Sequence, residues 1–331
     1  MYFVNFRYQL LGRKLRHVAF AGLAATGIAV HTPALAENYP SHPVVITVPF
    51  AAGGTVDNVA RHIQQRLAGE LGQTVVIENR GGAGGTIGMA GVARSKPDGY
   101  SVGMVFDSFS TEQHIHSRLP YTEKDLTGVA YMVRSPMVLA VAPSTPYQTL
   151  ADYVTASKDG SVSYASVGAG SSNHLAAELF HQTAGTSGLH TPYKGGGPAI
   201  TDLMGGHVDS IIASLPLVLP HVQSGKLRAL AVTAPERVKA LPDVPAIAET
   251  YPGFEIYSWV GMVAPAGVPD QALDTLSAAV TASLRDPEVS EKVTNAGFEV
   301  VAEGRDAMNT LVKNESERWG KLINDINLRL E

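Results

Sequence analysis

The amino-acid sequence predicts an α/β protein with two domains, each a mainly parallel sheet flanked by helices. Three observations lead to this fold class. Short apolar runs alternate with amphipathic helical segments, the alternation starts again near residue 129, and further helices and one strand follow it towards the C terminus. The 331 residues, 45% hydrophobic and 17% charged, are enough for two moderate domains with buried cores.

The first set of elements lies between residues 44 and 106. Predicted strands cover residues 44–48, 75–78 and 100–106, and the first is rich in β-branched residues. A helix between the first two strands is indicated by apolar residues at helical spacing: Val56, Val59, Ala60, Ile63 and Leu67. A short helix precedes the third strand. Strand–helix–strand order of this kind predicts parallel pairing.

The second set of elements follows residue 129. Its predicted strands cover residues 129–133, 137–141, 162–166, 210–213 and 227–232. Its predicted helices cover residues 150–157, 173–183 and 200–204. The last part of the chain is predicted to hold an extended segment, two helices, a strand and a final amphipathic helix at residues 256–264, 269–285, 287–295, 298–301 and 305–328.

Two apolar segments are suited to connect the domains, Met137–Ala142 and Tyr257–Ala264, because both are extended and lie near prolines. We therefore expect a discontinuous first domain, residues 37–138 with 261–331, and a second domain, residues 139–260. A ligand cleft is expected between them, because open α/β sheets bind ligands at the carboxyl ends of their strands.

The N-terminal segment has the pattern of an export signal. Positive charges at Arg7, Arg13, Lys14 and Arg16 precede an apolar run, and no acidic residue occurs before Glu37. Small residues then form an A-x-A pattern that ends at Ala36. We predict cleavage after Ala36 and export to the periplasm by the general secretory route, since no Arg-Arg pair is present. A membrane anchor is the alternative, but the apolar run is short and rich in Gly, Ala and Thr.

Composition excludes several function classes. The chain has no cysteine, so disulfides, thiolate metal sites and cysteine nucleophiles are absent. Loss of the signal's four positive charges would lower the formal net charge from -5 to -9. This acidic balance argues against nucleic-acid binding. No cofactor motif is present: residues 81–88 depart from G-x-G-x-x-G because Ile87 stands at the last glycine position.

Two glycine-rich loops carry the predicted binding chemistry. Residues 49–57 (PFAAGGTVD) and 168–174 (GAGSSNH) each follow a strand and precede a helix. Helix starts present unpaired N–H groups and the positive end of the helix dipole, and glycine lets an anion approach the backbone. We expect a small anion such as a carboxylate to bind there. An ordinary tight turn, with Thr55 or Asp57 as the helix cap, is the alternative for the first loop.

Other polar groups allow weaker interpretations. Ser171 or Ser172 with His174 suggests a hydrolase, although the G-x-S-x-G motif is missing. His174, Glu178 and His181 share one helix face, and His114 and His116 form a second pair. For these histidines we favour a partly exposed helix face and solvated loops over metal ligation. Lys194 is interpreted as a solvated lysine in preference to an anion ligand, and residues 107–110 are expected to reach the cleft.

The chain resembles the exported substrate-binding proteins of tripartite tricarboxylate transporters, also called Bug receptors. The segments that carry the resemblance are in order over nearly all of the mature chain: YPSHPVVITVPFAAGGTVDNVARHIQQRLAGELGQTVVIENRGGAGGTIG, KPDGYSVGMVF, VGAGSSNHLAAELF, TPYKGGGPAITDLMGGHVD, GKLRALAVTAPERVKALPDVPAIAE and SWVGMVAPAGVP. Residues 107–121 depart from the family pattern and are short.

The resemblance implies a two-domain flytrap fold of the periplasmic-binding-protein type that closes on a small organic acid, without catalysis, cofactor or metal. The ligand carboxylate would be held by main-chain groups and waters at Ala51, Ala52, Gly53, Gly170, Ser171, Ser172 and Asn173. Asp57 is included in this site, and side groups of the ligand would be recognised by Phe50, Ser108, Tyr193 and Ser214. The expected ligands are mono-, di- or tricarboxylates, aromatic ones included.

The resemblance also implies a membrane transporter as partner of a monomeric receptor. A sensor kinase as the partner is the alternative from the same class. A secreted hydrolase is the alternative from a different class.

Overall fold

The computed structural model describes residues 39–329. The predicted signal at residues 1–36 lies outside this range. Within it, no helix combines the length and the apolar character needed to cross a membrane.

The first third of the described chain forms three strands and three helices. The predicted strands and the helix at 55–71 are present, whereas the third helix was not predicted. Its sequence FSTEQHI is polar and has no apolar period, and it is held by packing against the last helix of the chain. The elements are β1 Val44–Val48, α1 Thr55–Leu71, β2 Val75–Asn79, α2 Thr86–Ala93, β3 Ser101–Phe106 and α3 Phe109–Ile115.

The middle of the chain begins with one long strand where two were predicted. The helix after β7 was not predicted because it contains two prolines, one of them in the first turn, where proline is tolerated. The elements are β4 Leu126–Val141, α4 Leu150–Ala156, β5 Ser163–Ser166, α5 Ser172–Ala184, β6 Leu189–Pro192, α6 Gly196–Met204, β7 Ser210–Ser214, α7 Leu215–Gln223 and β8 Arg228–Val232.

The last part of the described chain returns to the first sheet. Its elements match the predicted order to within a few residues. They are β9 Tyr257–Pro265, α8 Asp270–Arg285, α9 Pro287–Asn295, β10 Glu299–Glu303 and α10 Arg305–Asp325.

The strands form a mixed sheet in the order β2-β1-β3-β9-β4-β7-β5-β6, with β8 and β10 also paired to β4. The outer pairs, β1 with β2 and β3, and β5 with β6 and β7, are parallel. The pairs made by β4 and β9 are antiparallel. The predicted α/β periplasmic-binding-protein fold is confirmed, with the parallel strands at the two outer edges and antiparallel strands at the centre.

Strand β4 belongs to both halves of this sheet. Its residues from Leu126 to Pro136 pair with β9, and from Met137 onward it pairs with β7 and β8. Pro136, which has no N–H to donate, lies where one set of partners replaces the other. Strand β9 pairs with the first part of β4 along its whole length, and its residues Val260–Val263 also pair with β3. The domain boundaries at 138/139 and 260/261 stay a prediction.

Separate hydrophobic cores underlie the two halves. One core packs α1 and α8 against β1, β3 and β9 and contains Ile46, Ile63 and Leu276. Two further cores lie on either side of β5 and β7, with Tyr164 in one and Ile211 in the other. Because both halves are anchored by their own cores, the loops at the carboxyl ends of the strands are held on rigid supports.

Candidate functional site

A cavity of about 620 Å³ lies where the two halves of the sheet face each other. This volume is in the range of small-molecule sites. Four segments contribute most of its wall: the β1–α1 loop, the β3–α3 corner, the β5–α5 loop and the start of α6. The lining residues are Phe50, Ala51, Gly54, Thr55, Val56, Gly84, Phe106, Asp107, Ser108, Thr111, Glu112, Ile115, His116, Val167, Gly168, Ala169, Gly170, Ser171, Ser172, Asn173, Lys194, Gly195, Gly196, Ser214 and Leu217.

The β1–α1 loop is fastened from behind by Asp57. This carboxylate is fully buried; Oδ2 accepts a hydrogen bond from the Gly53 amide at 2.8 Å, and Oδ1 accepts one from Asn79 Nδ2 at 2.9 Å. Arg61 Nε donates to Oδ2 at 2.8 Å. Although burial opposes ionisation, the bonds from Arg61, Gly53 and Asn79 hold the pKa of Asp57 below its usual range. Asp57 therefore positions the loop and does not face the cavity.

The β5–α5 loop is organised by Ser171 and His174. The Ser171 hydroxyl donates to the Gly168 carbonyl at 2.7 Å and caps α5 by accepting from the His174 amide at 3.4 Å. The Gly170 amide donates to His174 Nδ1 at 3.1 Å, and Asn173 Nδ2 donates to the Ile212 carbonyl at 3.0 Å. The donors left for a ligand are the amides of Ser172 and Asn173 in the first turn of α5, which have no partner inside a helix.

The β3–α3 corner is acidic and buried. Asp107 is 2% exposed, and its Oδ2 accepts from the Ser258 hydroxyl. Burial raises the pKa of Asp107 to about 7, against the opposing effect of the Ser258 and Ser172 hydroxyls. Glu112 accepts from the Tyr121 hydroxyl at 2.6 Å, and burial raises its pKa to about 7 as well. Lys194, exposed at the start of α6, is the lining residue with a positive charge.

Eight of the twelve predicted site residues line the cavity. They are Phe50, Ala51, Ser108, Gly170, Ser171, Ser172, Asn173 and Ser214. Four do not: Ala52 and Gly53 lie exposed on the outer side of the loop, Asp57 is buried behind it, and Tyr193 packs against the core beneath α6. Ala52 and Gly53 do not line the cavity because Gly54, with extended φ/ψ, leads directly into α1. Thr55 and Val56, the first residues of this helix, line the cavity instead.

Sequence reasoning missed the contribution of α3. Thr111, Glu112, Ile115 and His116 line the cavity because this helix follows β3 at once. An Asp followed by Ser-Phe-Ser was the available signal, since Ser108 and Asp107 carbonyls accept the first bonds of the helical turn. Lys194 and Asp107 were noted in the sequence, and both line the cavity.

His174 and His181, after the second loop, are buried, so the expected partly exposed helix face is wrong for these two histidines, while Glu178 between them is half-buried. His174 is 5% and His181 is 3% exposed. His174 stacks on His190 with ring centroids 3.7 Å apart, and Tyr164 donates to Glu178 beneath them. Among residues 39–329 no three His, Cys, Asp or Glu side chains are grouped to hold a metal.

The serine–histidine geometry of a hydrolase is not formed in the β5–α5 loop. Within the described chain, the Ser171 hydroxyl bonds to backbone atoms, and the His174 ring accepts from the Gly170 amide. The second pair of histidines is divided, because His114 bonds to Ser316 at 2.8 Å while His116 lines the cavity.

Two α/β halves around a cavity that both line define a solute-binding receptor. Comparison with known families shows the particular one: the chain belongs to the tripartite tricarboxylate transporter family receptors, whose family model matches residues 59–328. The resemblance stated from the sequence is confirmed.

Relatives and solved structures agree with this membership. Protein BugT of Bordetella pertussis (strain Tohama I) is 33% identical over 322 residues, which cover 96% of this chain and 99% of BugT. The structure of R. palustris Rpa4515 with adipate has a TM-score of 0.80 and 33% identity, covering 88% of this chain and 100% of Rpa4515. MatC from Rhodopseudomonas palustris with bound malate has a TM-score of 0.76 and 30% identity, covering 86% and 100%.

Proposed function

We propose that this protein is exported to the periplasm, with its signal removed after Ala36, and there captures a small organic acid for a tripartite-type membrane transporter. The observation that carries the proposal is the cavity of about 620 Å³ onto which the N-terminal turns of α1 and α5 both open. Its size suits a mono-, di- or tricarboxylate, aromatic acids included.

Backbone chemistry supports an anionic ligand. The first turns of α1 and α5 supply N–H groups without helical partners and the positive ends of two helix dipoles. Lys194 adds a positive charge on the wall. Rpa4515 and MatC, which share this family and fold, have structures with adipate and with malate, and this supports a carboxylate for the present chain.

Capture works by closure of the two halves. A ligand that touches the β1–α1 and β5–α5 loops together stabilises the closed arrangement by the difference between its affinities for the closed and open states. The closed monomer with its ligand is then the form that a membrane partner recognises. The chemistry is binding without turnover, and no cofactor takes part.

The test is a thermal-shift screen of the mature protein with mono-, di-, tri- and aromatic carboxylates, followed by calorimetry of each acid that raises the melting temperature. A ligand at 100 times its dissociation constant stabilises the folded state by about 2.7 kcal/mol.

Two substitutions that each introduce a negative charge, one inside the cavity and one outside it, provide a matched test and control. Ala169 is exposed on the β5–α5 loop and lines the cavity, whereas Ala240 is exposed and outside it. Ala169→Asp places a negative charge beside the ligand and should abolish binding, while Ala240→Asp should leave the affinity unchanged. The proposal fails if no acid raises the melting temperature, or if Ala169→Asp binds as the wild type does.

A further inference from the structure

The acidic group at the end of β3 is buried without a counterion. Asp107 lines the cavity, is 2% exposed, and uses Oδ2 to accept from the Ser258 hydroxyl on β9. Its other oxygen, Oδ1, has no hydrogen-bond partner among residues 39–329. The Ser172 hydroxyl lies close enough to Asp107 to lower the pKa of the carboxyl, but it does not complete a hydrogen bond to Oδ1. In the same part of the chain Asp107 forms no salt bridge, so neither Lys194 nor any arginine pairs with it there.

An unmet acceptor in this position is costly to the ligand-free protein. Leaving a buried polar atom without a partner destabilises the folded protein, and does so more strongly when the atom is charged. Buried groups of this kind are concentrated at functional sites. Because Asp107 is one of the residues that line the cavity, a ligand that enters the cavity can supply the missing donor.

We propose that Asp107 is a specificity-determining residue that accepts a hydrogen bond from a hydroxyl or ammonium substituent of the bound acid. The protein then selects hydroxy or amino acids over unsubstituted carboxylates of the same length. This inference rests on the proposed function, since it concerns the same cavity, and it names the class of acid.

The rest of the wall agrees with a donor-bearing ligand. Glu112 on α3 presents a second buried carboxyl, one oxygen of which is held by Tyr121. A carboxylate placed beside these groups would be repelled, because like charges interact strongly where water is excluded. Matched substituted and unsubstituted diacids carry the same two carboxylates, so they differ only in the substituent that can donate to Asp107 and offset this repulsion. A hydroxyl or ammonium group is attracted there, while the ligand's carboxylate stays at the helix starts and Lys194.

The charge state of Asp107 gives the expected pH dependence. The titratable groups around it are Glu112, His116 and Lys194 on the cavity wall and Glu315 on α10. Burial raises the pKa of Asp107 and of Glu112 to about 7. An unsubstituted diacid needs these carboxyls protonated and should bind more weakly at pH 8 than at pH 6. An acid with a donor substituent should keep or gain affinity over the same range.

The experiment compares acids with matched carbon skeletons by calorimetry at pH 8. The sets are succinate, malate and aspartate, and glutarate, 2-hydroxyglutarate and glutamate. In the set whose chain length the protein prefers, we expect the tighter-binding of the hydroxy and amino acids to bind at least tenfold more tightly than the unsubstituted acid. In Asp107→Asn this ratio should fall to threefold or less. Asp243→Asn, an exposed position outside the cavity, should preserve the ratio.

The outcomes separate this inference from the proposed function. If the unsubstituted acids bind as tightly as the substituted ones, or if Asp107→Asn keeps the ratio, the role of Asp107 is refuted while carboxylate binding stands. If none of the six acids binds and the broader carboxylate screen also fails, both proposals fall. If Asp107→Asn does not fold, the ratio of the wild-type affinities for the substituted and the unsubstituted acid is measured at pH 6 and at pH 8 instead. The inference is contradicted if the affinities of both acids change equally between these pH values.

Discussion

Replacing Asp57 tests whether the hydrogen bonds of its buried carboxylate hold the β1–α1 loop in the conformation that binds the ligand. Asp57→Ala takes away the acceptor of the Gly53 amide and of Asn79, both of which are held at 2.8–2.9 Å by a fully buried carboxylate. A hydrogen bond to a charged group contributes about 1.5–3 kcal/mol. The Arg61 contact adds little, because the arginine is half exposed and water replaces its partner.

The expected loss is therefore about 3–6 kcal/mol in the free energy of unfolding, since two buried bonds are removed together. Ligand affinity should fall at least tenfold as well, because the Gly53 turn that leads into α1 loses its fixed geometry. Urea denaturation of the ligand-free protein measures the first quantity, and calorimetry with the best acid of the screen measures the second.

Asp152 provides a matched control. It occupies the same third position of helix α4, where it accepts from the amides of Gln148 and Thr149, but it is exposed and lies outside the cavity. Asp152→Ala should cost less stability than Asp57→Ala and leave the affinity unchanged. If Asp57→Ala lowers stability but binds the acid as tightly as Asp152→Ala does, the β1–α1 loop does not depend on Asp57 for its geometry.

Three further predictions concern charge, pH and packing. Lys194→Gln should weaken acid binding about three- to tenfold at low salt, whereas Lys158→Gln should leave the affinity unchanged. The prediction is contradicted if calorimetry finds the same salt dependence of the acid affinity in both variants. His190 has its pKa lowered to about 4 from 6.5 by burial and by His174, so stability is complete above pH 6.5 and is lost as pH falls towards 4. In full this change in pKa corresponds to about 3 kcal/mol; we expect about 1–2 kcal/mol because His190 is only partly buried and solvent screens its charge. Urea denaturation measures the loss, and His190→Asn should remove this share of it. Gly88→Ala places a Cβ 2.6 Å from a backbone oxygen and should destabilise by about 1–3 kcal/mol, whereas Gly91→Ala should be neutral or stabilising in the same denaturation assay.

The sequence was informative where a local pattern decides the structure. The β1 run, the apolar face of α1 and the start of α5 depend on neighbouring residues, and each is formed as predicted or within a few residues. The two loops could be identified for the same reason. Their placement on one cavity follows from strand order, which the sequence indicates through the strand–helix alternation and through the family resemblance.

The sequence was less informative where tertiary contacts decide. Helix α3 has no apolar period and packs against α10, nearly 200 residues later, so the short Asp-Ser-Phe-Ser signal at its start does not by itself place Glu112 on the wall. The burial of the His174 ring depends on its stacking with His190, which lies on strand β6. In the same way, the position of Asp57 in the loop predicts a residue of the binding site. Only the structure shows that its carboxylate bonds to Gly53 and Asn79 behind the loop and therefore does not face the ligand.

The glycines of the two loops have a different task from the one that composition suggests. Gly53 and Gly170 adopt φ of 79° and 78°, in the left-handed region that other residues avoid. The Gly53 amide bonds to Asp57 and the Gly170 amide bonds to His174, so these two donors are already used inside the protein. The turns at these two glycines let α1 and α5 begin immediately after them, so that the first amides of both helices border the cavity. An acidic protein can thus hold an acidic ligand, because the attraction comes from two helix starts at short range while the net charge is spread over the distant surface and screened by salt.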